Sequence, residues 1–389
     1  MTNGVRVTPR QILAVGALVI FALVAAVLIT SQVMGSSDSD NSVSVTGTET
    51  ADDMAGMAGM QDSQETPEGD DGGMEDMPGM GGMDMRPVDV SNAPPADPGA
   101  QGAQPLEPTI GADGVKEFQL TASIIRWNIL EDVEVGAYAY NEQVPGPTIR
   151  VVDGDRVRVL FTNNLPEATS IHWHGLILDN GMDGAADVTQ PPVEPGESFT
   201  YEFTVEQTGT YFYHTHKSVD RQQTLGLYGA LIIDPSDGDQ YEYDQEYTIQ
   251  LGEWTVRDGE NIPAMNQPDA MPNFFTINGK SYPETETIQA KVGDRIRIRF
   301  IGTGQFIHPM HIHGGPFEIV ETDGNAVPEG ARLLKDTVLV GPGERYDVIW
   351  TAERPGTWLI HCHINDHITN NGEEVEGGGG LTMAIEVSP

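Results

Sequence analysis

All ten histidines of this chain fall into four short motifs, and its only cysteine sits inside the last of them. The motifs are His172-Trp173-His174-Gly175, His214-Thr215-His216, His308-Pro309-Met310-His311-Ile312-His313-Gly314 and His361-Cys362-His363-Ile364-Asn365-Asp366-His367. Imidazole nitrogens with a single thiolate form a ligand set suited to copper. No histidine lies outside the motifs, a distribution that scattered structural histidines would not produce. One cysteine permits no internal disulfide, and a lone thiol in an oxidising compartment is a liability unless it is buried or metal-bound.

In order, type and spacing the four motifs resemble those of the multicopper oxidases, the family that contains the laccases, and the resemblance runs from about residue 115 to residue 389. It implies four coppers per chain. A type 1 copper would take electrons from a small reductant, and a three-copper cluster would reduce dioxygen to water. Carried over residue by residue, the type 1 ligands are His308, Cys362 and His367. The type 2 copper takes His172 and His311. The two type 3 coppers take His174, His214 and His363, and His216, His313 and His361. Strand geometry suits this division. Side chains at i and i+2 share a face, so His361 and His363 point one way and Cys362 the other. Cys362 can then hold a copper inside its own domain while its neighbours grip the cluster outside it.

The elements that position these motifs are duplicated. Gly154-Asp155-Arg156-Val157-Arg158-Val159 reads like Gly293-Asp294-Arg295-Ile296-Arg297-Ile298, and each glycine precedes its histidine, His172 or His311, by 18 residues. Pro195-Gly196-Glu197 matches Pro342-Gly343-Glu344, again 18 residues from the glycine to His214 or His361. A duplicated domain is the simplest account. Between these landmarks, short alternating runs rich in Val, Ile, Phe and Tyr read as strands divided by Gly, Pro, Asn and Asp turns. The expectation is an all-β chain, with domain 1 over residues 115–236 and domain 2 over 245–389. The resemblance makes both cupredoxin-like Greek-key β-sandwiches. Through the repeat, His308, Cys362 and His367 correspond to Thr169, Thr215 and Asp220, which cannot form a blue-copper site. Type 1 copper is therefore expected in domain 2 alone, which argues against copper nitrite reductase. In two-domain, small-laccase-like members, domain 1 of one chain and domain 2 of its neighbour build the cluster. A homotrimer with shared clusters is the expectation that follows.

Two further positions bear on the chemistry. Asp183, in Met182-Asp183-Gly184, matches the family's carboxylate that helps supply protons to dioxygen, although Asp-Gly is also an ordinary turn. The type 1 axial position falls after an insertion, Asn370 to Gly379. Register from Gly380 points to Leu381, with Met383 as the alternative on the same strand face. A non-coordinating residue there would raise the potential.

The front of the chain differs in kind. Residues 12 to 30 form an uncharged apolar run preceded by Arg6 and Arg10, so residues 1–34 read as a membrane anchor or a signal peptide. Either one places the copper domains outside the cytoplasm, on the outer face of the cell membrane or secreted. Residues 35–114, poor in large apolar groups, read as a disordered acidic tether. In that tether Met54, Met57, Met60, Met74, Met77, Met80, Met83 and Met85 form a tract suited to capturing Cu(I) through thioethers. The chain has 59 acidic and 20 basic residues, a net charge of −39. That balance disfavours nucleic acid and reads as adaptation to concentrated salt, which screens self-repulsion. The functional expectation is a laccase-like oxidase of phenolic or similar reductants. A cuprous oxidase in copper tolerance and a non-catalytic copper carrier are the alternatives. The eight cluster histidines argue against the carrier, which would need only type 1 copper.

Overall fold

The computed structural model describes residues 84–96 and 99–389. The apolar run, and the methionines from Met54 to Met83, lie outside these residues. Among the described residues no helix is long and apolar enough to cross a membrane.

The sequence repeat is a structural repeat. In the first half Gly146–Val152 runs parallel to Tyr228–Asp234, which pairs antiparallel with Gly209–His214, which in turn pairs with His172–His174. The second half repeats this order. Ile288–Lys291 runs parallel to Thr382–Ser388, followed by antiparallel Gly356–Cys362 and His308–Ile312. The facing sheets match as well. Lys116–Leu130 lies parallel to Arg156–Asn163 and then antiparallel Ser198–Thr204. Gln245–Arg257, Arg295–Gly302 and Arg345–Thr351 do the same. Period-two patterning explains the packing: along Arg156–Asn163 the alternate residues Val157, Val159 and Phe161 are buried. Each half thus closes its own apolar core between two sheets.

A third apolar cluster joins the halves. Trp127, Val144 and Tyr228 of the first pack with Trp254 and Phe274 of the second, and the Trp127 indole donates to the Gly279 carbonyl at 2.7 Å. Truncating such a ring to Ala costs about 3–5 kcal/mol. Beside it, Arg299 bridges the halves through Thr210 at 2.8 Å, and Asp347 holds both Arg299 and Arg297. The connection between the halves is pinned by Tyr241, whose hydroxyl donates to the Val320 carbonyl at 3.0 Å.

Contrary to the expectation of disorder up to residue 114, residues 84–96 and 99–114 lie on the folded body. Arg221 donates to the carbonyls of Asp84 and Arg86. Val88 is buried and its N–H bonds the Asn261 carbonyl. Pro105–Leu106 adds a short parallel strand to Thr148–Ile149. Polar composition hid this order, because a few apolar side chains, Val88 in the first core with Val90 and Leu106 against it, act together with backbone hydrogen bonds and one buried arginine to hold the segment.

Candidate metal centre

The second sandwich brings His308, Cys362 and His367 together, with ligand atoms within 4.8 Å of one another and all three side chains buried. His308 begins its strand, Cys362 ends the adjacent Gly356–Cys362 strand, and the short helical turn Asn365–Ile368 returns His367 toward both. Nδ1 of His308 and Nδ1 of His367 stand 3.1 Å apart, and Sγ lies 3.6 Å from His367 Nδ1 and 4.0 Å from His308 Nδ1. Burial pushes the Cys362 thiol up to about 12. Burial, and then the neighbouring His308, bring His367 down to about 4. A thiol this hard to ionise beside neutral imidazoles becomes a thiolate when a cation joins it. The donor set fits the trigonal His2Cys copper pattern.

Leu381 is bracketed by these ligands: its carbonyl accepts from Cys362 N–H at 3.0 Å, and its N–H donates to the His367 carbonyl at 2.9 Å. Met383 lies two residues on, opposite Ile360. Both side chains are buried.

The remaining eight histidines form two quartets, one per sandwich. His172 lies within 5.7 Å, ring centre to ring centre, of His174, His214 and His216. His311 stands equally close to His313, His361 and His363. Strand register makes the quartets equivalents, with His172 opposite His214 and His311 opposite His361. In four of them Nδ1 meets a backbone carbonyl: Asp183 for His172, Thr215 for His214, Asp336 for His311 and Cys362 for His361. An Nδ1–H spent on a carbonyl leaves Nε2 free to bind a metal. Burial holds His214 down to about 3, and burial with the nearby Arg345 holds His174 to about 4. His313 and His361 are lowered by burial too. Neutral imidazoles packed nitrogen to nitrogen, as in His313 and His361 at 3.0 Å, suit copper.

Among the described residues, no ring contact joins one quartet to the other. His174 instead lies against the Gly343 turn, where a Cβ would come within 3.2 Å of its ring. The second quartet opens onto a cleft of about 620 Å³ lined by His311, His313, Leu334 and Asp336. Each cluster copper implied by the motifs would draw ligands from both quartets, and among the described residues no close group of three or more ligands spans both.

Asp183 sits where its carboxylate lies 3.5 Å from His172 Nδ1 while its carbonyl accepts from that nitrogen at 2.8 Å. Gly184 makes this approach possible, since a Cβ there would strike the Ile171 carbonyl. Met85, the one methionine of the tract among the described residues, is partly buried.

Sequence reasoning missed Glu253. Its carboxylate meets His308 Nε2 at 2.7 Å and accepts backbone N–H bonds from Gln305 and Phe306. The signal was present: Ile249, Leu251 and Glu253 share one strand face, and a lone charge on an inward face needs a partner. It also missed Gln222. In the first sandwich Thr169 and Thr215 occupy the places equivalent to His308 and Cys362, but the third partner is Gln222 rather than Asp220. Thr215 donates to the Gln222 side chain at 2.7 Å.

Comparison with known proteins bears on the family to which this chain belongs. Two family models, both described as multicopper oxidase, match residues 121–238 and 257–372. The chain is 36% identical over 243 residues to Laccase-1 of Cryptococcus neoformans, covering 54% of this chain and 38% of that protein. It is 42% identical over 261 residues to copper resistance protein A of Pseudomonas syringae, covering 55% and 42%. It thus spans less than half the length of these curated relatives. Among solved structures, the blue copper oxidase from Nitrosomonas europaea is similar at 38% identity and a TM-score of 0.64, covering 70% of this chain and 85% of that one. With the two matches spanning more than half the sequence and the histidine groups standing where the repeat requires them, the chain belongs to the multicopper oxidase family.

Proposed function

We propose that the protein is a laccase-like oxidase that removes single electrons from phenolic or similar reductants and passes four of them to dioxygen. The observation that carries this reading is the buried His308–Cys362–His367 group joined, through the backbone of Cys362, to histidines on either side of it. Copper, when bound, supplies the one-electron redox chemistry that links reductant to dioxygen. His308, Cys362 and His367 would hold the type 1 ion, with Leu381 in the axial place because it is tied by backbone bonds to two of the ligands. The two quartets would hold the other three. Reduction of dioxygen to two waters consumes four protons, and Asp183, partly exposed and beside His172, is placed to pass them.

The reading includes a shared cluster. Each quartet is half a ligand set, His216 and His363 face solvent, and apolar residues lie exposed on both sandwiches. Ile177 and Val188 are 72% and 82% exposed on the first sandwich, and Leu334 is 73% exposed at the cleft beside His311. Exposed apolar side chains rimming an open metal half-site favour a second copy of this chain as the covering surface. A closed ring of three chains is the assembly we propose. We place the protein outside the cytoplasm on the strength of the apolar segment at residues 12–30, and in concentrated salt on the strength of the −39 charge.

Copper tolerance through Cu(I) oxidation is the second reading, favoured by the methionine tract. Oxygen uptake by copper-loaded protein, compared side by side with a phenol and with Cu(I), tests the two. Faster uptake with the phenol is the expected result. Uptake with Cu(I) alone would replace the first reading with the second, and uptake with neither would refute both.

A further inference from the structure

The strongest unassigned feature is a buried carboxylate at the back of the Cys362 centre. Glu253 is 3% exposed and His308 is fully buried. One carboxylate oxygen lies 2.7 Å from His308 Nε2. The backbone N–H groups of Gln305 and Phe306 reach the same carboxylate at 3.1 and 3.4 Å. Gly304 makes room for it, since a Cβ at that position would collide with the carboxylate itself. No arginine or lysine pairs with Glu253 among the described residues; its side-chain partner is His308.

We propose that Glu253 is a positioning residue of the type 1 centre. The inference rests on the copper reading above. A carboxylate held by backbone donors can only accept from His308, so Nε2 carries the proton and Nδ1 is left bare. Nδ1 is the nitrogen that faces His367 Nδ1 at 3.1 Å and Cys362 Sγ at 4.0 Å. Glu253 thereby fixes both the tautomer and the orientation of the ring, as carboxylates behind metal-bound histidines do. Two consequences follow. A fixed negative charge one imidazole away stabilises the more oxidised metal and lowers the reduction potential. The carboxylate also seals the Nε2 edge of His308. The His367 ring stacks on Phe275 at 4.1 Å and has no protein hydrogen bond at Nε2 among the described residues.

The test is Glu253→Gln in the full-length, copper-loaded protein. The amide keeps the shape of the side chain and removes its charge. The proposal predicts an upward shift in type 1 reduction potential and about a 10–100-fold weaker hold on that copper. Glu253→Asp, which retains the charge, should recover part of both. A purely structural role would lower thermal stability and leave the potential of the loaded protein in place. An unmoved potential and unmoved copper affinity in Glu253→Gln overturn the proposal. Should that variant not fold, a crystal structure of the copper-loaded wild type decides. His308 bound through Nδ1, with Nε2 still on Glu253, supports the proposal; ligation through Nε2, or a Glu253 turned away, overturns it. Wild-type protein that takes up no copper at Cys362 would sink the copper reading and this proposal together. A blue, active wild type with an unmoved Glu253→Gln sinks only the proposal.

Discussion

Thr169 and Thr215 meet hydroxyl to hydroxyl at 3.1 Å in the first sandwich, at the places that His308 and Cys362 hold in the second. The duplicated fold thus carries one pole built for a metal and one closed by hydrogen bonds. Gln222 completes the closed pole, taking a bond from Thr215 and giving one to the Ala168 carbonyl at 2.8 Å. This pole is therefore a structural plug.

Removing the plug's central hydroxyl should cost stability and spare the metal chemistry. Thr215→Val leaves the Gln222 side-chain oxygen without its donor in a fully buried site, a loss of about 1–3 kcal/mol. Urea unfolding should show a lower midpoint with an unchanged slope. The blue absorption should stay as in wild type, since Cys362 and its partners lie in the other sandwich. A lost blue band would show that the two poles are coupled.

The buried histidines set an acid limit on the metal-free protein. His214 is held down to about 3, and His174 and His367 to about 4, from an ordinary value of 6.5. The unfolded chain therefore binds more protons than the folded one between these values, and stability rises with pH across that window. The contribution is complete above about 6.5 and is lost as pH falls toward 4. Thermal melts of metal-free protein should show a falling Tm over this range, with a shallower slope in His214→Ala. A pH-independent Tm between 6.5 and 4 would contradict the assignment of neutral, buried imidazoles.

Mixing mutant chains tests whether the quartets are completed between copies. His172→Ala removes a ligand from the first quartet and His361→Ala one from the second. Each variant alone should lose dioxygen reduction. Unfolded and reassembled together, they should regain a fraction of wild-type turnover, because some interfaces then pair an intact first quartet with an intact second. No recovery in a mixed assembly of confirmed composition, or full activity in a monomer, would contradict sharing.

Much of this was legible in the residues themselves. The 18-residue spacings from Gly154 and Gly293 to His172 and His311 predicted two copies of one strand order, and the histidine-bearing strands share that order in both halves. Histidine spacing carried the grouping, because a strand's period of two puts His361 and His363 on one face whatever the tertiary context. Partners remote in sequence were harder to see. Glu253 lies 55 residues from His308, and only its place on an inward face marks it. The order of residues 84–96 and 99–114 was hidden because its anchors lie far along the chain, from Arg221 to the core that takes Val88 and the strand that pairs Pro105–Leu106. Gln222 lies seven residues past Thr215, where His367 lies five past Cys362, so the repeat did not mark it.

The central claim is that Cys362 is the thiolate of an electron-accepting copper feeding a separate site of dioxygen reduction. One comparison tests it most directly: copper content, visible absorption and oxygen uptake of wild type and Cys362→Ser, both loaded with copper under the same conditions. The account predicts four coppers per chain and an intense blue band in wild type. In Cys362→Ser it predicts about one copper fewer, no blue band and no steady oxygen uptake, with the histidine-bound copper retained. A Cys362→Ser protein that stays blue, or that consumes oxygen at the wild-type rate, would contradict it.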